Sequence, residues 1–342
     1  MKLFEVTIKP ISGFGTPLKG DTLFGRFCWE VVHDPSLLNG GLDKWTACYG
    51  ERPFAVFSSA WPVFRDAKTR YAMKRPDLPL HVLFRGGLPA GIEQAHALKK
   101  RKAKRWMIVG GDLSLTLNKV EFLSDEELAK AVHFALTPET RKSMRRVLQD
   151  RLFAHFPQPH NTINRLTLRT GSGMFAPFTE TSTFYYPQTE LAVFVLLDEE
   201  ATDITRVLVG MKRIGQWGFG KDASIGHGRF GLGEHKEVPV PKVSSSNACY
   251  ALSPVVPETG VFSKCFFTPF VRFGKHGDVL ARSSNPFKNP VVMADEGAVL
   301  ATENPLVFEK PYVGRAVSNT SKAMPGTLFQ GYTIYLPFRL ET

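Results

Sequence analysis

Cysteine is scarce in this sequence. Four occur among 342 residues, Cys28, Cys48, Cys249 and Cys265, and no two form a C-x-x-C pair. That scatter excludes a local zinc knuckle and a disulfide scaffold, both of which need clustered thiols. Long apolar runs are also missing: none approaches the ~18 residues that a membrane span requires, so no membrane partner is expected. The opening MKLFEVTIKP alternates apolar and polar residues and lacks a signal peptide's apolar core, so a cytoplasmic location is expected. H-E-x-x-H, G-x-S-x-G and G-x-x-x-x-G-K-[ST] are all absent. The nine histidines are isolated in sequence. No metal, cofactor or small-molecule substrate is therefore expected.

Acid is in deficit as well. Against 32 Asp and Glu stand 43 Lys and Arg, a net charge of +11 and a pI near 9.5. Such an excess commonly meets a polyanion, and nucleic acid is the first candidate. The 43% hydrophobic content supports packed cores, and the length suits about two domains of ~150 residues.

Residues 2–10 read as a strand. The Gly- and Pro-rich stretch 12–20 is a loop, and Asp21 is expected to cap a helix with its apolar face at Leu23, Phe24, Phe27, Cys28, Val31 and Val32. Gly25 within it costs ~1 kcal/mol against Ala, as a close backbone approach would justify. Residues 54–65 give a short strand and a break at Pro62. From there to about 185 the chain reads as irregular, apart from helices over 124–134 and 138–153 with Ser124 and Thr137 as caps. Residues 160–187 alternate polar, aromatic and Gly residues as a long hairpin does. Residues 190–197 are a strand, 200–214 a helix, and 239–247 a linker.

In order, this is βαββαβ, the ferredoxin-like split fold that RNA-recognition motifs use. The expected class is α+β, with residues 1–238 forming an RRM-like domain interrupted by an insertion at about 66–188. Residues 246–342 are expected to form a second domain.

Three stretches suit RNA. Residues 215–234 hold seven glycines, at 215, 218, 220, 226, 228, 231 and 233. Glycine lets backbone N–H groups approach an anion closely, and Lys221, Ser224, His227 and Arg229 add side-chain donors. A ligand-free Gly-rich hairpin is the competing reading. KKRKAKR (99–105) carries six basic residues in seven and reads either as a solvated face or as a phosphate contact. Arg165 and Arg169, with Phe175 and further aromatics at 178, 184, 185 and 186, combine guanidinium donors with stacking surfaces as single-strand binders do. The alternative is a hairpin packed on its own domain. Catalytic groups are sparse: Asp21 has its capping role, His33 favours a helix C-terminus, and His227 stands alone as a general acid or base.

TPLKGDTLFGRFCW (16–29), SSAWP (58–62), KKRKAKRWM (99–107), HNTINRLTLRTGSGMF (160–175) and GFGKDASIGHGRF (218–230) resemble, in this order, the RAMP superfamily of CRISPR proteins. They are most similar to the Cas-five-like subunit of type III-A effector complexes. The resemblance covers roughly residues 1–235; the remainder matches only in general strand content. It implies two ferredoxin-like domains, a β-hairpin thumb at about 155–187, and a Gly-rich loop (215–233) at the last helix-to-strand turn. It further implies binding of the 5′ tag of the guide RNA (crRNA), between a large polymerase/cyclase-type signature subunit and a repeating backbone subunit. The residues expected to touch RNA are Lys19, Arg26, Lys99, Arg101, Arg165, Arg169 and Phe175, with Gly218, Gly220, Lys221, Ser224, Gly226, His227, Gly228 and Arg229. Target-cleaving relatives carry a catalytic aspartate in an extended loop before the first helix. Here that loop (10–20) is short and has no acid, so no catalytic residue is expected. The runner-up is a metal-independent repeat-processing endoribonuclease of the same superfamily using His227 or His33. A third reading is a basic RNA-chaperone-like or ribosome-associated protein.

Overall fold

A computed structural model describes residues 1–65, 68–84, 92–143, 151–243 and 245–341. The first strand, β1 (Lys2–Pro10), is followed by α1 (Gly20–His33), α2 (Gly41–Cys48), β2 (Ala55–Arg65) and β3 (Thr69–Lys74). Next come α3 (Leu80–Leu83), α4 (Ile92–Ala103), β4 (Lys104–Gly110), β5 (Glu121–Ser124), α5 (Asp125–Ala135) and α6 (Pro138–Ser143). A hairpin of β6 (Phe153–His160) and β7 (Phe178–Tyr185) leads into β8 (Glu190–Leu197), α7 (Ile204–Trp217) and β9 (Phe230–Val238).

β1 lies at the centre of the expected pattern. It pairs antiparallel with β8 from Lys2↔Leu197 to Ile8↔Leu191, and on its other side with β9. β2 pairs with β8, so β2-β8-β1-β9 and the helices α1 and α7 follow the βαββαβ order read from the sequence. α1 and α7 pack against each other where Gly210 removes a side chain; a Cβ there would stand 2.7 Å from Phe27. Phe27 in turn packs on Phe57 of β2, ring centroids 5.6 Å apart. Gly25, by contrast, has nothing near its Cβ position, so it admits no close approach.

The expectation of an irregular insertion is corrected. β3, β4 and β5 extend the sheet to seven strands in the order β5-β4-β3-β2-β8-β1-β9. β2 also runs through Pro62, which is registered with Leu191 of β8. β3 joins β2 only from Val63, so proline stands where the strand has a neighbour on one side alone. Ser124 caps α5 by a reciprocal box with Glu127. The helix expected over 138–153 ends at Ser143 and Phe153 begins a strand; residues 144–150 lie outside the described residues.

The C-terminal part holds β10 (Ala248–Ala251), β11 (Lys264–Phe266), β12 (Pro269–Arg272), β13 (Val291–Ala294), β14 (Val299–Ala301), β15 (Val313–Gly314), β16 (Tyr332–Thr333) and β17 (Tyr335–Phe338). Four of them form a sheet, β11-β14-β10-β17, and two ribbons join β12 to β13 and β15 to β16. Among the described residues from 245 onward there is no α-helix, so the expected second βαββαβ unit is not found there. The long connections in this part are rich in Gly, Pro, Ser and Asn and carry no apolar stripe at helical spacing.

One core runs through both parts. Tyr250, Leu252, Leu336 and Phe338 belong to the same buried cluster as Val6, Phe27 and Phe57. Gln330, fully buried, accepts from the Phe57 N–H at 2.9 Å and donates to the Phe57 carbonyl at 2.8 Å. Among the described residues no helix is long and apolar enough to cross a membrane.

Candidate nucleic-acid interface

The Gly-rich loop connects α7 to β9 and is seated between two neighbours, residues 11–19 and strand β7. Its backbone donors are mostly spent inside the protein. The Phe219 N–H donates to the Gly228 carbonyl at 3.0 Å, and the Gly228 N–H to the Gly13 carbonyl at 2.7 Å. Lys221 N–H donates to Thr16 Oγ1 and Arg229 N–H to Ser12 Oγ, each at 2.9 Å. The expected cradle of free N–H groups is thus corrected at these positions, because the loop uses one to close on itself and three to hold residues 12–16.

The glycines follow the same logic. A Cβ at Gly228 would overlap the Phe219 backbone, one at Gly218 the His227 carbonyl, and one at Gly220 the Thr16 side chain. These three are demanded by the loop's own packing. Gly226 differs: its φ is 96°, a left-handed conformation, and nothing lies within 4 Å of its Cβ position.

Side chains carry what the loop presents outward. Lys221, Ser224 and Arg229 are exposed. Lys221 Nζ stands 2.5 Å from Glu180 of β7, and His227 Nδ1 lies 3.0 Å from Ser182 Oγ. These contacts clasp the loop to β7, along the ribbon of the hairpin. The Lys221 ammonium holds the Glu180 carboxyl below its usual range. Burial, then the neighbouring Glu180, pushes Asp222 up. Arg229 has no ion-pair partner among the described residues. Trp217, 73% exposed at the end of α7, stands beside the loop with Ile225, 69% exposed. Neither was anticipated from the sequence. The signal available was an aromatic inside a glycine-rich, basic stretch.

The hairpin runs over 153–185, with register from Phe153↔Tyr185 to His160↔Phe178. The second reading, a hairpin packed away on its own domain, does not describe its outer half. Leu166 is 94% exposed at its far end, and Arg165 and Arg169 are exposed beside it. Phe175 is half-buried in a short 3-10 turn, Gly173–Phe175. His160 and Phe178 stack at 5.3 Å with their planes 16° apart.

The remaining expected residues lie elsewhere. Lys19 is buried, and its ammonium bonds Asp295 and, at 2.6 Å, Glu296. It also sits 4.6 Å over the Phe270 ring. This corrects its assignment as a phosphate contact: its charge is already neutralised. Arg26 pairs with Glu30 at 3.1 Å on α1 and is half-buried, which withdraws it in the same way. Asp21 does not cap α1, whose N-cap is Lys19; its carboxylate receives two bonds from Arg272, at 2.6 and 2.9 Å. Lys99 is exposed on α4, and Arg101 donates to the Phe84 carbonyl at 3.3 Å. β4, which follows α4, is five strands from β9, or about 24 Å at ~4.8 Å per strand. The basic run and the Gly-rich loop therefore form separate sites.

No protein-family model matches the sequence, and no curated protein is similar to it in sequence. Solved structures are similar in fold. A chain of the Csm3-Csm4 subcomplex of the type III-A CRISPR-Cas interference complex superposes with a TM-score of 0.54 at 12% identity, over 99% of this chain and 100% of that one. A chain of the Csm1-Csm4 cassette in complex with cA4 gives 0.53 at 14% identity, over 100% of both chains. The same cassette with pppApA gives 0.51 at 16%, over 100% and 98%. The fold is that of Csm4. The likeness to Csm4 runs end to end, whereas the motifs read from the sequence stop near residue 235. The C-terminal part is thus included in the shared fold.

Proposed function

We propose that this chain is a non-catalytic RNA-binding subunit of a type III CRISPR effector complex. In this reading it caps the 5′ tag end of the crRNA and joins the large signature subunit to the repeating backbone subunits. One observation carries it: the Gly-rich loop and the exposed hairpin are clasped together, presenting Trp217, Lys221, Ser224 and Arg229 beside a protruding ribbon with Arg165 and Arg169. Exposed aromatics and guanidinium groups on one surface suit the bases and phosphates of a single strand. The net charge of +11 supports a polyanionic ligand. The Csm4-like fold supports the assembly, since the similar structures are of complexes with Csm1 or Csm3. We read the β1-α1-β2-β8-α7-β9 unit as its ferredoxin-like half.

The absence of a catalytic role draws on two residues and one loop. Asp21 is locked to Arg272, His33 ends α1, and the loop before α1 contributes no acid. The alternative, a metal-independent repeat-processing endoribonuclease, draws on His227, which lies with Glu180, Ser182 and Asp222 at the joint of hairpin and loop. Co-purification of the native assembly, with sequencing of its RNA, tests the leading reading. Recovery of a Csm1-like and a Csm3-like subunit with tag-bearing crRNA supports it; recovery of a lone chain bound to unrelated RNA overturns it.

A further inference from the structure

A cavity of about 280 Å³ opens at the foot of the hairpin, between β6, β7, β2 and residues 14–19. Its walls are aromatic: Trp61, Trp106, Phe153 and Tyr185 line it, with Phe14 beneath. The two indoles are fixed by hydrogen bonds that use up their only donors. Trp61 Nε1 donates to the Leu252 carbonyl at 3.2 Å, and Trp106 Nε1 to Asp125 at 2.8 Å. Phe153 stands edge-on to both Trp106 and Tyr185, at 6.1 Å from each. The rings are therefore a preset surface, and they need no rearrangement to receive a flat apolar face.

Three polar groups also line the cavity and retain bonding capacity. The Tyr185 hydroxyl has no hydrogen-bond partner among the described residues. His155 uses Nδ1 with Thr183 Oγ1 at 3.1 Å, which leaves Nε2 available. Glu296 contributes its carboxyl group. A phosphate does not suit this place, because the Lys19 ammonium is already matched by Asp295 and Glu296. Lys74 is likewise held, by Asp77 at 3.1 Å and the Glu296 carbonyl at 2.9 Å. The volume lies just under the ~300 Å³ lower bound of drug-sized ligand sites, room for one base rather than a whole nucleotide.

We propose that this cavity takes a single unstacked nucleobase, held between Trp61, Trp106 and Tyr185 and read at its edge by the Tyr185 hydroxyl, His155 and Glu296. This rests on the RNA-binding reading above and adds a base-reading subsite to a surface otherwise built for phosphates and stacking. Bases in single strands are recognised in this way, splayed out, stacked on aromatic rings and bonded at their edges. Burial, opposed by Lys19, pushes Glu296 up to about 7. An RNA lying along the hairpin would pass the mouth of the cavity, where His155 is exposed.

The test is an abasic scan. A single-stranded repeat-tag RNA, unmodified or with one base removed at each position in turn, is titrated with wild type, Ala60→Phe and Tyr185→Phe. Ala60 lines the cavity, so phenylalanine there fills it. In wild type one position should stand out, its loss weakening binding roughly 5- to 150-fold, the equivalent of one base stack. In Ala60→Phe that penalty should vanish. Tyr185→Phe, which changes only the hydroxyl, should weaken the unmodified RNA about 2- to 10-fold and leave the matching abasic RNA unaffected. A flat scan in wild type, with unmodified RNA still bound, overturns the base pocket and leaves the RNA-binding reading standing. So does a position-specific penalty that survives unchanged in both variants. No binding of unmodified RNA overturns both.

Discussion

Lys19 and Glu296 lie 277 residues apart in sequence and meet at 2.6 Å, with Ser59 donating to the same carboxylate at 3.3 Å. Asp21, two residues on, meets Arg272 in the same way. The first turn of α1 is therefore fastened twice to the C-terminal part. A segment that reads as a basic RNA contact in sequence is a structural joint.

Breaking that joint on one side leaves a buried charge. The Asp21 side chain is fully shielded from solvent, so Arg272→Ala should cost about 3–5 kcal/mol of stability. Urea unfolding measures it. A loss below 1 kcal/mol would mean the pair adds nothing that water does not replace.

The second fastening responds to pH. Glu296 is pushed up to about 7 by burial, from an ordinary 4.5. Between those values the folded state holds a proton that the unfolded chain releases, so this group's contribution to stability is lost as pH rises through 7. Thermal melting at pH 5 and pH 8 should show a larger decline for wild type than for Glu296→Gln. Equal declines would place the titration elsewhere.

The two loop glycines should part company. Gly228→Val forces a side chain into the Phe219 backbone and should lower the melting temperature, because the loop itself cannot form. Gly226 faces open space at φ 96°, so Gly226→Ala should cost only the ~1–3 kcal/mol of backbone strain and leave the rest of the fold intact. It should still weaken RNA binding, since it distorts the loop between Lys221 and Arg229. Unchanged RNA affinity for a folded Gly226→Ala would make the loop purely structural.

Much of this was legible in the sequence, and the reason is locality. β1, α1, α7 and the helix-to-strand Gly-rich loop are specified by short-range apolar spacing and turn chemistry, so their order could be read directly. β3 and β4 were not, because Thr69–Lys74 and Lys104–Gly110 mix charged and apolar residues without clean alternation. β3 is a strand because β2 offers a neighbour on that side, and β4 because β3 then does the same. Lys19, Arg26 and Asp21 were misassigned for a related cause: the fates of Lys19 and Asp21 depend on Asp295, Glu296 and Arg272, which no window of sequence contains, and Arg26 is taken up by Glu30 one turn along. Trp217 is the reverse case. It lies past the helix read over 200–214, inside the Gly-rich stretch, yet α7 extends to it and leaves it 73% exposed.

The basic helix α4 is a separate, electrostatic question. Lys99, Lys100 and Lys102 are exposed, while Arg101 supports Phe84. Replacing the three lysines by Ala, and leaving Arg101, should flatten the slope of log K against log salt by up to about 2, at ~0.7 per phosphate on a single strand. An unchanged slope and affinity would return α4 to a solvated face.

The central claim is that this chain binds tag RNA and does not cut it. Both halves are read in one sample: single-turnover incubation of labelled repeat RNA with excess protein, in Mg²⁺ or in EDTA, resolved for complex and for product. The expected result is a shifted, intact RNA in both buffers, with Arg165→Ala and Arg229→Ala weakening the complex. Cleavage at one defined position, abolished by His227→Ala with binding retained, would contradict it and make the chain a metal-independent ribonuclease.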